Sequence, residues 1–176
     1  MANGEKGSAT VDEEADLSET MSRIARLTSR TERFAEYDRL LESFPRHAEL
    51  YFRRGLSRNL GERKAAIEDM SAAIALNPAE PATLYFRGLF NLEERDFSAA
   101  IADLEQAIIY DQELDSKYYA EPARFVIAVA SLHLGDFDRA LRECEGLKPN
   151  TGTYLARKMW TLDEVRTRAK KRSYPT

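Results

Sequence analysis

The chain has 176 residues, 43% apolar and 32% charged, a mixture that belongs to a folded globular protein rather than a disordered or membrane-spanning one. Its net charge is −4, yet residues 1–19 alone carry six acids against one lysine, Lys6, which leaves the remainder close to neutral at +1. A near-neutral body gives no electrostatic reason to expect nucleic acid, and no apolar run reaches the roughly 18–20 residues of a bilayer span. The N-terminal stretch lacks the apolar core of a secretory signal, so a cytoplasmic protein without membrane contact is expected. The single Cys144 excludes an intramolecular disulfide and a cysteine-rich metal site.

In chain order, residues 1–17 are rich in Gly, Ser and acids with almost nothing to bury, and a disordered acidic leader is expected there. Met21, Ile24 and Leu27 then mark a short amphipathic helix. Phe34, Tyr37, Leu40, Leu41 and Phe44 mark a second, ended by Pro45. Between them Ser29-x-x-Glu32 reads as a capping box.

From residue 48 the sequence repeats. Shifted by 34 positions, 48–74 falls on 82–108 with eleven identities and no gap, among them Tyr51/Tyr85, Arg53/Arg87, Ala66/Ala100, Asp69/Asp103 and Ala73/Ala107. A further unit is displaced by 40, pairing Leu92/Leu132, Asp96/Asp136, Phe97/Phe137 and Ala100/Ala140, with Phe125 facing Tyr85. The extra residues fall in a connection around 111–119. Apolar positions recur at three and four residues, and Leu60-Gly61, Glu94-Arg95-Asp96 and Gly135-Asp136 break the pattern into helix pairs. Asn77-Pro78 stops a helix because proline lacks an amide proton and pushes its predecessor out of the helical region.

Helix pairs of this length, with the second helix opening on Ala66, Ala100 or Ala140, resemble the tetratricopeptide repeat over roughly 31–149. The resemblance implies an all-α fold, a TPR-like right-handed α-solenoid of antiparallel helix pairs with capping helices. The expected organisation is a repeat domain over 18–149, made of a degenerate cap (18–45) and units at 46–80, 81–114 and 119–149. A C-terminal segment follows over 150–176. The first-helix glycine is Gly88 in one unit and Ala128 in the next. In the preceding unit it has slipped to Gly55, leaving Arg54 in its slot.

Residues 151–160 alternate poorly for a helix and are expected to be extended or irregular. Thr161-x-x-Glu164 is a second capping-box candidate, opening a final helix to about Lys171. That helix is basic through Arg166, Arg168, Lys170, Lys171 and Arg172. The plain reading is solvated cations favouring a helix C-terminus, and contact with an acidic partner or with the leader is the alternative.

No pattern carries chemistry. His47 and His133 are far apart and lack a cysteine or third histidine for zinc. Cys144 aligns with the core slots of Met70 and Leu104 and reads as a buried thiol. Asp111-x-Glu113-x-Asp115 has Ser116 and Pro122 where a calcium loop needs its glycine and bidentate glutamate. No phosphate loop or nucleophile elbow occurs, so no enzyme, no cofactor and no metal are expected.

What the resemblance implies is binding. The first helix of each pair would line a concave surface, placing Tyr51, Tyr85 and Phe125 in an aromatic column. Leu89 and Val129 come one turn further on, then Leu92 and Leu132, with Asn59, Glu93 and His133 beside them. The expected partner-binding set is Tyr51, Tyr85, Leu89, Leu92, Glu93, Phe125, Val129 and His133, an apolar groove for a peptide or helix of another protein. The alternative is that such aromatics only pack between helices. Chaperone-binding members clamp a terminal carboxylate with lysine and asparagine, and the corresponding positions here, Tyr51, Tyr85, Phe125, Gly55, Leu89 and Val129, do not fit that use. A dedicated small chaperone or toxin-neutralising protein, and a self-filled groove in a homodimer or larger self-assembly, are the other readings.

Overall fold

The computed structural model of the chain describes residues 11–58, 60–155 and 158–173. Helices α1 (Val11–Ala25), α2 (Arg30–Ser43), α3 (Ala48–Ser57), α4 (Arg63–Leu76), α5 (Pro81–Glu93), α6 (Phe97–Glu113), α7 (Ala120–Leu134) and α8 (Phe137–Glu143) follow one another. A hairpin of β1 (Gly152–Leu155) and β2 (Lys158–Thr161) then leads into α9 (Leu162–Ser173). Each helix packs on the next in sequence, so order in the stack is chain order, as in a tetratricopeptide-like solenoid.

The ends of these helices follow from single residues. Ser29, Asp96 and Asp136 cap α2, α6 and α8 by accepting from the amides of Glu32, Ala99 and Arg139 at 3.2, 3.0 and 3.0 Å. Gly135, at φ 80°, closes α7 in the left-handed turn that glycine adopts without steric cost. The equivalent turn after α5 is made by Arg95 at φ 68°, with the same pair of backbone bonds, Arg95 N–H to Leu92 and Asp96 N–H to Asn91. Thr161 caps α9 through the Glu164 amide at 3.3 Å, but the Glu164 carboxylate turns to Lys158 and Arg168 rather than back to the cap.

Helices within a pair meet at glycine. A Cβ on Gly88 would lie 2.8 Å from Leu104 Cγ and 3.2 Å from the Ala100 carbonyl. A Cβ on Gly55 would lie 2.9 Å from Met70 Cε and 3.3 Å from the Ala66 carbonyl. The glycine has therefore not slipped from its slot. The whole of α3 is in register with α5 at a spacing of 33, one residue less than the second helices show. Phe52, not Tyr51, is the counterpart of Tyr85, and Arg54 is the counterpart of Arg87.

That register explains two buried aspartates. Asp103 accepts two bonds from Arg87, at 2.6 and 2.9 Å, and one from the Asn91 amide at 3.0 Å. Asp69 is met in the same way by Arg54 at 2.6 Å and by Arg58 at 2.7 Å. Bidentate guanidinium contacts satisfy a carboxylate that burial would otherwise penalise heavily. In the third unit Ile127 stands in the arginine slot, 1% exposed, and Glu143 turns instead to Arg124 at 3.3 Å.

The reason lies in the C-terminal segment. Hairpin residues alternate faces with period two: Leu155 and Trp160 point inward, while the cross-strand pair Tyr154 and Met159 stays exposed. Leu155, Trp160, Leu162 and Val165 join Phe125, Val126, Ile127 and Val129 of α7 in one apolar cluster. Arg166 donates to the Cys144 carbonyl at 2.8 Å and so closes the end of α8. At the other end, Leu17, Ile24, Tyr37, Leu41 and Leu50 form a separate cluster. Residues 1–10 of the expected leader lie outside the described residues. From Val11 the chain is helical and Leu17 is already buried, so the ordered part starts before the expected boundary at 18.

Candidate functional site

The structure divides the eight residues expected to line a groove. Leu92, Phe125 and Val129 belong to the core, at 4%, 1% and 0% exposure. This corrects the expectation of one continuous apolar track. The hairpin and α9 supply the apolar partners that a free ligand would have supplied, and α7 is covered along its middle. Tyr51 is half-buried, its hydroxyl donating to the Pro45 carbonyl at 3.1 Å and its ring facing the Arg54 guanidinium at 5.5 Å. Glu93 pairs with Arg63, and Leu89 packs against the main cluster. Asn59 lies outside the described residues.

What stays accessible lies at the two ends of α7. At its N-terminal end a trough of about 410 Å³ has Tyr85, Pro122 and the edge of Phe125 in its lining. Tyr118 and the Lys117 side chain stand on one side, and Lys148 with the start of β1 on the other. The connection that builds one wall is anchored by Asp111. This fully buried carboxylate accepts the Ser116 hydroxyl and the amides of Tyr118 and Ala120, the latter two at 3.2 and 3.0 Å. Burial alone would raise its pKa, but these hydrogen bonds outweigh it and hold the group below the usual aspartate value. The carboxylate thus faces its own loop. Tyr119 packs on Tyr85 with ring centres 5.3 Å apart. Burial raises both phenols, helped at Tyr119 by Glu80, Asp111 and Glu49, so both remain protonated hydrogen-bond donors.

On the opposite side of the trough Glu121 pairs with Lys148 at 3.2 Å and accepts the Thr151 hydroxyl at 3.2 Å. These bonds keep Glu121 ionised, below the ordinary glutamate value. The result is an apolar floor between charged and hydroxyl-bearing rims, open to one side. That arrangement can bury a side chain and bond a backbone. Among the described residues no group of three or more His, Cys, Asp or Glu is placed to hold a metal.

At the C-terminal end of α7, His133 is exposed, stacked on Phe97 at 4.7 Å with the rings 2° from parallel, and edge-on to Trp160 at 5.5 Å. Partial burial by the flanking rings and then the cations Arg95, Arg168 and Lys158 push its pKa below the usual histidine value, so it presents a neutral ring. Trp160 was not among the expected site residues. The period-two pattern of Tyr154, Leu155, Met159 and Trp160 could have placed it on the inner face of a hairpin. Cys144 is buried, and burial raises its thiol, which suits an inert core residue.

No helix among the described residues is long and apolar enough to cross a membrane. The tetratricopeptide repeat profile matches residues 57–119 and 92–153. No curated protein sequence matches the chain. Among solved structures, one of a MamA protein is similar at 19% identity and TM-score 0.64, over 74% of this chain and 69% of that one. A second MamA structure aligns over 95% of this chain and 96% of its own, at 16% identity and TM-score 0.62. An O-GlcNAc transferase mutant from Thermobaculum terrenum aligns at 21% identity and TM-score 0.58, over 77% of this chain but 27% of its own length. At such identities the likeness bears on the fold alone. Repeats of the matching family form scaffolds for protein–protein interaction that are typically non-catalytic. The helix pairs, the glycine contacts and the profile agree: this chain belongs to the tetratricopeptide repeat family.

Proposed function

We propose that the chain is a protein-interaction module that holds a peptide or helix of a partner protein in the trough beside Tyr85. The observation that carries this reading is the trough itself, an apolar floor under Tyr85, Pro122 and Phe125 that no part of the described chain fills. Aromatic side chains bury large area with few rotors to freeze, and they anchor interfaces for that reason. Tyr118, at 77%, is the most exposed large hydrophobic side chain among the described residues. A dedicated chaperone for one partner is the same surface with a single client.

The test is native co-purification from the source cell, comparing the wild type with Tyr85→Ala and with Tyr118→Ala. Phe125→Ala is unsuitable because that ring is part of the core. Loss of the same partner in both variants, with the helical signal intact, supports the trough. Retention of every partner in both removes the proposal. Self-association is the second reading, favoured by the exposed Tyr154–Met159 pair on the outer face of the hairpin. Light scattering across a dilution series separates the two: a monomer at every concentration discards self-assembly.

A further inference from the structure

A second cleft opens at the other end of α7, about 18 Å from the trough at 1.5 Å per helical residue between Glu121 and His133. It has a volume of about 390 Å³. One wall is apolar and aromatic, made by Leu132, Phe137 and Trp160 with His133 beside them. The rim is cationic, made by Arg168, Lys171 and Arg172 of α9.

The charges around this cleft are out of balance. Glu164 is shared by Lys158 at 2.5 Å and Arg168 at 2.8 Å, and both cations also lie over the Trp160 ring, at 4.0 and 5.1 Å. Lys171, Arg172 and Arg95 make no ion pair among the described residues. Three cations bear on His133: Arg95 from the turn after α5, Arg168 from α9 and Lys158 from β2. Arg95 also holds its left-handed turn where the next repeat uses Gly135. Cations gathered around a ring-lined hollow, with one shared carboxylate, select an anion that brings an apolar group with it.

We propose that this cleft is a second docking site for an acidic segment of a partner protein with an apolar anchor residue. The anchor lies against Trp160, Phe137 and Leu132, and its neighbouring carboxylates meet Lys171, Arg172 and Arg95. The occupant is a protein segment rather than a nucleic acid. The cleft's wall is apolar and ring-lined and its cations stand on one rim, which seats an apolar side chain beside carboxylates, whereas an extended polyanion is held by cations along a track. The inference rests on the interaction-module reading and adds to it a separate contact and a charge class.

Trp160 is the single tryptophan of the chain and lines this cleft, so its emission reports on it. The experiment titrates the full chain with a short synthetic peptide of Asp and Glu flanking one Phe, and with the same peptide carrying Asn and Gln. A saturable change in emission is expected for the acidic peptide, weakened roughly ten-fold for the amide form and for Lys171→Glu/Arg172→Glu. Arg95→Gln, from an element outside α9, should weaken binding several-fold. It serves as the second variant if the first alters α9.

Tyr118→Ala should leave the titration unchanged, which separates this site from the trough. The proposal fails if the emission does not change, if the charge variants bind equally well, or if oligouridylate binds as tightly as the peptide. Partner capture lost in Tyr85→Ala, together with a flat peptide titration, would remove this site and leave the trough standing.

Discussion

Replacing Asp103 with alanine tests whether the buried arginine–aspartate contacts hold the repeat pairs together. The carboxylate is 6% exposed and takes two bonds from Arg87 and one from Asn91. Its loss strands a guanidinium and a buried amide. Breaking a fully buried pair costs about 3–5 kcal/mol. Arg87 keeps 23% side-chain exposure and a 3.1 Å bond to Ser71, which places Asp103→Ala near the lower bound, about 3 kcal/mol. The third repeat suggests the control, since Ile127 occupies the arginine slot there. Arg87→Ile/Asp103→Leu removes both charges and leaves the Asn91 amide unpartnered, a cost of about 1–2 kcal/mol. The double variant should therefore be more stable than either single one. Urea unfolding followed by far-ultraviolet circular dichroism and by Trp160 emission measures the wild type, Asp103→Ala, Arg87→Ile, Asp103→Leu and the double variant, and coincident curves check that one transition is being read. A cost below about 1 kcal/mol for Asp103→Ala, or a double variant that loses the sum of the two single losses, would refute the reasoning.

Other consequences can be measured alongside. Trp160→Ala should lose about 3–5 kcal/mol and increase binding of an apolar dye, because Phe125 and Val129 lose their cover. Arg95→Gly should raise stability by up to about 1 kcal/mol by relieving a left-handed turn, read as a higher urea midpoint. The Cys144 thiol should be silent to a thiol reagent in the native protein and react on unfolding. Asp111 has a folded pKa below its unfolded value, so its stabilisation is complete above the ordinary aspartate pKa of about 3.9 and disappears as pH falls through the depressed folded value. The melting-temperature gap between wild type and Asp111→Asn should accordingly be full at neutral pH and vanish in strong acid.

The repeat, the helix pairs and their caps could be read from residue identity because they are local. A proline after Asn77, a serine three residues before Glu32 and a glycine opposite an alanine each act over a few residues. The one-residue change of register in α3 was not legible in the same way. An ungapped match of Tyr51 to Tyr85 is stronger on paper than the Gly55–Gly88 contact, yet steric exclusion at 2.8–2.9 Å decides the packing. Tyr118 and Tyr119 were visible as an insertion, but the trough they help to form needed Asp111 to fold the loop back.

Family, helix order and the absence of a recognisable catalytic motif came from the sequence alone, since each depends on patterns spaced within one repeat. Which aromatics stay uncovered came only from the tertiary structure. A side chain at the right helical phase is available for binding only if nothing from elsewhere in the chain buries it first. Here a hairpin and a helix that begin 18 and 28 residues after the end of α7 do so for Phe125 and Val129, leaving Tyr85 and His133 at the two open ends. Burial is a property of the whole chain, and periodicity within a window does not contain it.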